Sequence, residues 1–273
     1  MTINYIALFC LVDDLYKIMI KDDDKSKKST RQSSLSIPEI ITIILLFYQS
    51  NYKHFKRFYL EYVMIFHKND FKSLSYSRFI QLESRILPYL IQILYFLMSK
   101  NQHTGLYYID STKIEVCRDN RISSHKVFES LAKIGKSSND KWFLGFKLHV
   151  ITNDKREIIN ILITQGNIDD REHVEDLSKD LKGRICGDRG YISKKLFEKL
   201  YSKGLKMITY LKSNMQNKLM EYRDKIMLRK RSSVIEGLFN ILKNKFGLAH
   251  TRHRSVSGGF IHIISVLIAY MMS

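Results

Sequence analysis

The chain has 273 residues, which is enough for one large domain or two small ones. Hydrophobic residues make up 45% of it, and this content excludes a wholly disordered protein because it can fill a core. Lys and Arg number 45 against 27 Asp and Glu, which gives a formal net charge of +18. A compact protein with this excess repels itself unless an acidic partner shares its surface, so the charge favours a polyanion partner over a composition bias alone.

The three cysteines lie far apart at positions 10, 117 and 186, and no CxxC pair is present. This pattern favours neither a zinc site nor a disulfide framework, and it fits reduced thiols in the cytoplasm. The first residues lack the basic start and the cleavage site of a signal peptide. Because a membrane-spanning helix needs about 20 apolar residues, three shorter apolar runs are predicted to be buried helices instead: 37–48, 87–98 and 260–272.

The N-terminal part of the chain is predicted to be helical. Lys21–Ser36 is polar and low in complexity, as expected of a linker or an exposed loop. Ser36 is placed to cap the next helix, with Pro38 in its first turn and Glu39 at its third position. From there to about Ser99, apolar residues recur at spacings of three and four, which is the period of helices.

One stretch of this helical region, Tyr52–Tyr62, interleaves basic residues with aromatic ones. A helix of this kind suits a nucleic-acid surface. An amphipathic helix with a solvated basic face accounts for the same pattern equally well.

Strands predominate after Gly105. We predict five of them: Leu106–Ile109, Trp142–Thr152, Ile158–Thr164, Arg184–Gly187 and Met207–Leu211. Helices are predicted at Asp169–Leu181, Ser193–Ser202 and Arg229–Phe246. Three strands followed by alternating helices and strands predict an α/β domain with a mixed five-stranded sheet. By analogy this order matches the ribonuclease-H-like fold, although order alone does not fix a topology.

Two acidic residues follow short apolar strands: Asp110 in YYIDSTK and Asp188 in ICGDRGYI. Ligands of α/β sheets bind at the carboxyl ends of strands, and two carboxylates that meet there need a cation between them. Their hard oxygens suit Mg²⁺ or Mn²⁺. Gly187 and Gly190 allow a sharp turn around Asp188. A helix-capping Asp followed by a turn is the competing interpretation of each residue.

The third candidate carboxylate is Glu236. At about 100° per residue, it lies at the edge of a helical apolar stripe that packs on the sheet: Ile235, Leu238, Phe239, Leu242 and Phe246. Arg229 and Lys243, seven residues away on either side, would form one row with it and bind phosphate. Two metal ions about 4 Å apart would activate the attacking oxygen and stabilise the leaving one. A solvated charge row without function is the alternative interpretation.

These residues resemble the DDE transposases of bacterial insertion sequences, and most closely the insertion sequence 982 family. The segments that carry the resemblance are IDSTKIEVCRDNRI, SHKVF, WFLGFKLHVI, GNIDDR, GDRGYIS, NKLMEYRDKIMLRKRSSVIEG and HTRHRS, in that order from 109 to 255. The N-terminal segment LSIPEIITIILLFYQSNYKHFKRFY is also similar to that family. In this comparison the DDE triad falls on Asp110, Asp188 and Glu236, and a lysine of related DDE families falls on Lys243.

The resemblance implies a DNA transposase that binds the terminal inverted repeats of its element, cuts them and inserts them elsewhere. It implies a helical region at 1–100 that binds DNA ends and a ribonuclease-H-like catalytic domain at 101–273. The cofactors would be two Mg²⁺ or Mn²⁺ ions, and the partner would be double-stranded DNA at the element ends and at the target. A homo-oligomer on DNA, a nucleoid-associated place in the cytoplasm and no membrane association are expected.

Several further residues are candidates for DNA contact. Lys147 and His149 alternate with apolar residues on one strand, so both face the same side. That side is exposed either to DNA phosphate or to solvent. A loop cluster before the last helix favours phosphate binding: His250, Arg252, His253 and Arg254. His125 and Lys126 are further candidates. Asp169 or Asp170 is expected to cap a helix, with metal ligation as the minor alternative.

Two other functions remain open from the sequence. A metal-dependent nuclease or resolvase of the same fold would cut DNA without joining it. A domesticated DNA-binding protein would keep the scaffold and lose the chemistry, although it would have no use for three carboxylates beside phosphate. A membrane-surface protein is a remote third possibility.

Overall fold

A computed structural model of the chain describes residues 4–22, 34–136, 141–211, 220–249 and 253–273. It forms two compact units. The helical unit comprises Met1–Leu97, Phe246–Leu248 and Arg254–Ser273, and the sheet unit comprises Met98–Lys245 and Ala249–His253. Most of the predicted linker Lys21–Ser36 lies outside the described residues.

The described residues of the helical unit form helices, as predicted. These are α1 (Tyr5–Asp22), α2 (Ile37–Gln49), α3 (Phe55–Phe58) with a π-helical continuation (Tyr59–Phe66), α4 (Tyr76–Glu83) with a 3₁₀ turn (Ser84–Ile86), α5 (Leu87–Lys100), which continues into the sheet unit, and α10 (Val256–Met271). The cap of α2 is confirmed: the Ser36 amide donates to Glu39 Oε2 at 2.6 Å, and the Glu39 amide donates to Ser36 Oγ at 3.4 Å. None of the helices that the structure describes is long and apolar enough to cross a bilayer.

Helix α10 packs within the helical unit. The range 101–273 predicted for the catalytic domain includes this helix, and the predicted bounds and roles of the two domains stay predictions. Its residues from Ile261 to Ala269 are all buried, and α2 is buried in the same way from Ile40 to Leu46. The Tyr48 hydroxyl lies 2.8 Å from His262 Nδ1 and joins these two helices. A helix that is apolar on every side needs neighbours on every side, and α2 is one of them.

The Tyr52–Tyr62 stretch places its aromatic residues inward. Phe58 and Tyr59 are fully buried, and the Tyr59 ring lies 4.7 Å from that of Phe79. Lys53, Lys56 and Arg57 are exposed. The segment is therefore an amphipathic one with a basic outer face, and its aromatic rings build the core of the helical unit.

We expect the stability of the protein to depend on pH through Glu83, the last residue of α4. Burial raises the pKa of this carboxyl from 4.5 to about 7. The folded protein therefore holds the proton more tightly than the unfolded chain, and the free energy of unfolding falls as pH rises from about 4.5 to about 7. The Glu83→Gln variant carries no charge there. We expect it to be more stable than the wild type by about 2–3 kcal/mol at pH 8, measured by urea unfolding.

The gain from Glu83→Gln is expected to shrink as the pH is lowered toward 4.5, because the wild-type carboxyl is then neutral as well. Glu198→Gln is the matched control, since that side chain is 62% exposed. A pH-independent difference between Glu83→Gln and the wild type would contradict the prediction.

The sheet unit contains one mixed sheet of six strands. They are β1 (Leu106–Glu115), β2 (Lys133–Lys136), β3 (Trp142–Asn153), β4 (Ile158–Gln165), β5 (Gly183–Cys186) and β6 (Leu205–Ile208). Their order is β2-β3-β1-β5-β6, and β4 also pairs with β3. β1 is antiparallel to β3 and parallel to β5, which is parallel to β6. The mixed sheet confirms the predicted α/β class, with β2 as an additional sixth strand.

Helices accompany the sheet in its C-terminal half. They are α6 (Val174–Leu177), a 3₁₀ turn (Arg189–Tyr191), α7 (Lys194–Ser202), α8 (Tyr222–Arg231) and α9 (Gly237–Asn240), with π-helical turns at Ser232–Glu236 and Ile241–Lys245 and an earlier 3₁₀ turn at Asp119–Ser124. Side chains of α6 and α7 pack with one another and with the sheet: Tyr107, Ile109, Ile185, Leu177, Leu196 and Leu200. A continuous helical segment runs from Tyr222 to Lys245. It begins seven residues before Arg229, the predicted start.

Candidate active site

Asp110 lies inside the central strand β1, where the prediction had placed it just past a strand end. β1 continues to Glu115 because Ser111, Thr112 and Lys113 pair with β3 in an unbroken antiparallel register. The polar run after Ile109 is therefore strand and not loop. This position puts Asp110 in the middle of the sheet, directly opposite Val150 of β3.

Asp188 follows β5 after a single glycine, as predicted. The parallel register pairs Tyr107 with Ile185 and Tyr108 with Cys186, and the same offset of 78 residues brings Asp110 level with Asp188. Asp188 Oδ1 accepts a hydrogen bond from the Gly190 amide at 2.8 Å and so caps the 3₁₀ turn. A Cβ at position 190 would lie 2.9 Å from that oxygen, which explains the glycine.

Burial and neighbouring charges shift the pKa of Asp110. Burial raises the pKa of Asp110 to about 6, and the charges of Asp188 and Asp170 raise it as well. Arg231 and the Ser111 amide lower it, but by less than burial raises it. A partly buried carboxylate beside other carboxylates needs a cation to remain ionised.

Arg231, the last residue of α8, supplies a cation at this place. Its Nη2 donates to Asp110 Oδ2 at 2.6 Å, and the two side chains are only 9% and 20% exposed. No local pattern in the sequence indicates this contact, because Arg231 and Asp110 are 121 positions apart and only the fold brings them together.

Tyr191 and Asp170 complete the acidic cluster. Tyr191 is 1% exposed, and its hydroxyl makes no hydrogen bond with a residue that the structure describes. Burial raises the pKa of Tyr191 well above its usual value, and Asp110, Asp170 and Asp188 raise it further. Asp170 Oδ1 accepts from Lys147 Nζ at 3.0 Å. The Tyr191 hydroxyl therefore lies in the combined field of the three carboxylates.

Glu236 is exposed and is the last residue of the π-helical turn at Ser232–Glu236. The apolar stripe beside it is buried as predicted: Ile235, Leu238, Phe239, Leu242 and Phe246. Its carboxylate makes no hydrogen bond or ion pair with any described residue. The structure thus brings Asp110 and Asp188 together and leaves Glu236 on the exposed surface of its helix.

The donor chemistry of the cluster fits a divalent cation such as Mg²⁺ or Mn²⁺. Asp110 and Asp188 offer hard oxygen ligands, and their mutual repulsion calls for positive charge. Across the ranges that the structure describes, however, no three His, Cys, Asp or Glu side chains come close enough to hold one ion. A complete set of protein ligands is therefore not preformed among these residues.

Comparison with known proteins decides the family. The sequence profile described as a transposase DDE domain matches residues 100–256, more than half of the chain. The chain belongs to the transposase DDE domain family. No curated protein sequence matches this transposase.

Two solved transposase structures are similar to this chain. The piggyBac transposase synaptic complex with hairpin DNA has a TM-score of 0.53 at 11% identity, covering 97% of this chain and 72% of that one. The Mos1 mariner paired end complex with Mn has a TM-score of 0.27 at 8% identity, covering 85% and 86%. The first likeness, together with the sheet order, confirms the ribonuclease-H-like fold of the transposase.

Two of the predicted phosphate-binding residues lie on the Glu236 helix of the transposase. Lys243 is half-buried, and burial lowers its pKa, as does Lys113, while Glu115 and Asp110 raise it. Lys243 therefore lies within the electrostatic reach of the acidic cluster. Arg229 is exposed.

Lys147 and His149 point to the same side of β3, as predicted, but they differ in exposure. Lys147 is half-buried and donates to the Ile168 carbonyl at 2.8 Å as well as to Asp170. His149 is fully buried, its Nε2 lies 2.9 Å from Thr164 Oγ1, and burial lowers its pKa to about 4. A buried neutral ring has no access to phosphate, so His149 is an interior residue and its predicted DNA contact is corrected.

The other candidates lie in loops. Lys126 is exposed, and the half-buried His125 ring stacks on Phe128 with centroids 6.0 Å apart. Of the cluster before the last helix, His253 is half-buried and Arg254 is exposed, whereas His250 and Arg252 lie outside the described residues. Asp169 does not cap a regular helix: it pairs with Arg171 at 2.6 Å in a turn before the short helix α6.

Proposed function

We propose that this transposase binds the terminal inverted repeats of its own bacterial insertion sequence, cuts the DNA there and joins the freed ends to target DNA. We further propose that the element is of the insertion sequence 982 family. The observation that supports catalysis best is that Asp110 on β1 and Asp188, just after the neighbouring strand β5, lie level with each other, and that Asp110 contacts a buried cation.

Asp110, Asp188 and Glu236 are the proposed ligands of two Mg²⁺ or Mn²⁺ ions, which supply Lewis acidity at the attacking and leaving oxygens when bound. Asp188 is oriented by the Gly190 amide, and Asp110 by the Ser111 amide at 2.8 Å. These two bonds orient the two carboxylates without help from a substrate.

The π-helical turn supports Glu236 as the third ligand. In an α-helix, residues five apart point about 140° away from each other. The i to i+5 hydrogen bonding of a π turn instead brings Arg231 and Glu236 to neighbouring positions one turn apart. Because Arg231 reaches Asp110, a rotation of the Glu236 side chain would bring its carboxylate toward the same place.

DNA is the proposed partner on grounds of charge and of fold. The net charge of +18 provides counterions for phosphate. The proposed phosphate contacts are the exposed Arg229 and Lys126 and the half-buried Lys243. The exposed Arg254 and the helical unit would bind the element ends. An assembly of two or more copies is proposed, since two ends must be joined together, and the nucleoid is the proposed location.

The test is a cleavage and strand-transfer assay with a DNA fragment that carries the element's own end. We expect nicking at the end and joining to target DNA in Mg²⁺ or Mn²⁺, and neither reaction in EDTA. Cleavage without joining would indicate a nuclease or resolvase. End-specific binding without cleavage in either metal would indicate a DNA-binding protein that has lost its chemistry.

Glu236→Gln tests the third ligand in the same assay. We expect cleavage to fall about 100-fold or more, because a neutral amide is a poor ligand for a divalent ion. Glu198→Gln, which changes an exposed carboxylate on α7, is the control and should cleave at the wild-type rate. Equal activity of Glu236→Gln and the control would remove Glu236 from the site and leave Asp170 as the next candidate.

A further inference from the structure

We propose that Arg231 occupies the cation position at Asp110 before metal arrives, and that a divalent ion binds only when Arg231 releases this carboxylate. Arg231 would thus be a positioning residue that competes with metal for one ligand. The inference rests on the proposed function, because it takes Asp110 as a metal ligand.

Contact distance and charge argue for competition. Arg231 Nη2 is 2.6 Å from Asp110 Oδ2, while Asp110 Oδ1 accepts from the Ser111 amide at 2.8 Å. A guanidinium does not lose its proton in a protein, so it cannot become neutral to make room. Two cations touching one oxygen in a partly buried place repel each other strongly, and metal binding therefore favours departure of Arg231.

Arg231 is held at Asp110 by few bonds. Its Nε is buried and makes no hydrogen bond within the described part of the chain, and Asp110 is the acceptor of its Nη2. A buried donor without an acceptor costs about 1–3 kcal/mol, so the guanidinium is not locked in place. Arg231 also stands at the junction of α8 with a π-helical turn, a type of turn that is frequent at functional sites.

A released Arg231 has a defined second use. A guanidinium presents parallel N–H donors that match two oxygens of a phosphate. Once Asp110 binds metal, the Arg231 side chain can bind a phosphate of the DNA strand that enters the site. Metal binding and substrate binding would then be linked through one side chain.

The first test measures Mn²⁺ binding by electron paramagnetic resonance at pH 8 without DNA, in the full-length protein. Arg231→Gln is expected to bind Mn²⁺ roughly tenfold more tightly than the wild type, which corresponds to about 1.4 kcal/mol. Arg223→Gln is the matched control: it removes an equal charge from an exposed position of the same helix, and it should keep the wild-type affinity. Unchanged or weaker Mn²⁺ binding by Arg231→Gln would overturn the proposal.

The second test uses the wild-type protein, so it does not depend on the folding of a variant. Arginines are modified with phenylglyoxal with and without saturating Mn²⁺, and the modified positions are located by mass spectrometry. Arg231 is 9% exposed and should react slowly without metal and faster with it, whereas exposed Arg229 should react equally in both. Continued protection of Arg231 at saturating Mn²⁺ would overturn the proposal.

An Asp188→Asn sample separates the inference from the proposed function. If the wild type binds no Mn²⁺ that depends on Asp188, the proposed metal site fails and the inference fails with it. If Mn²⁺ binding depends on Asp188 but Arg231→Gln and the wild type bind equally well, the inference alone fails.

Discussion

Replacing Asp188 with Asn is expected to lower the rate of DNA end cleavage about 10³-fold, which corresponds to about 4 kcal/mol of transition-state stabilisation. The amide has the shape of the carboxylate but lacks its negative charge, and metal ligation depends on that charge. Its oxygen can still accept the Gly190 hydrogen bond, so the 3₁₀ turn should persist. The measurement is single-turnover cleavage of an end-containing fragment, with DNA binding followed separately.

Asp180→Asn is the control for this experiment. Asp180 is an exposed aspartate of the same sheet unit, and its replacement should leave cleavage unchanged. We expect Asp188→Asn to bind the DNA end as well as the wild type does. Cleavage by Asp188→Asn at more than about a tenth of the wild-type rate would be incompatible with a ligand role.

Gly145→Ala is expected to have the largest effect on stability. Gly145 lies on β3 opposite Glu115, and a Cβ there would collide with the Ile114 carbonyl of the central strand β1. The backbone of a central strand cannot move without breaking its pairing on both sides. We expect the free energy of unfolding to fall by about 3 kcal/mol or more, measured by urea denaturation.

Gly237→Ala is the matched control for Gly145→Ala. Nothing lies within 4 Å of a Cβ added at Gly237, which is in α9 with helical backbone angles. Alanine is the better helix former by about 1 kcal/mol, so this variant should be as stable as the wild type or more so. Similar losses in the two variants would show that the collision at Gly145 is relieved by rearrangement.

Local signals in the sequence predicted those elements whose ends are set by neighbouring residues. Ser36 and Glu39 fix the start of α2, and Ser193 fixes that of α7 through its bond to the Leu196 amide. Gly204, with φ of +83°, follows the end of α7, the helix predicted at Ser193–Ser202. The alternation of polar and apolar residues predicts β3, and the apolar run Ile158–Thr164 predicts β4.

Pairing between segments far apart in the chain sets the element boundaries that local sequence patterns do not determine. β1 passes through Asp110 into a polar segment because β3 pairs with it residue by residue. β2 has only four residues, two of them lysines, and carries no apolar signal of its own. The predicted helix from Asp169 shrinks to α6 because Asp169 bonds to the Arg171 amide in a turn.

The sequence predicts two acidic residues of the candidate site, but it does not predict the other polar residues there. Asp110 and Asp188 followed apolar runs, which is a local signal. Arg231 and Tyr191 gave none, because their importance depends on which residues the fold places beside them. Asp170 was considered mainly as a helix cap, and its bond to Lys147 across 23 residues became visible only in the structure.

A π turn contains one residue more than an α turn, so a one-residue deletion at Ser232 or Ser233 would leave a continuous helix. Such a deletion would place Arg231 four residues before Glu236, and residues four apart in an α-helix lie on the same face. Homologous proteins that lack this residue can therefore keep the arginine and the glutamate side by side. In an alignment of such proteins, a one-residue gap at this point would leave this pair of side chains intact.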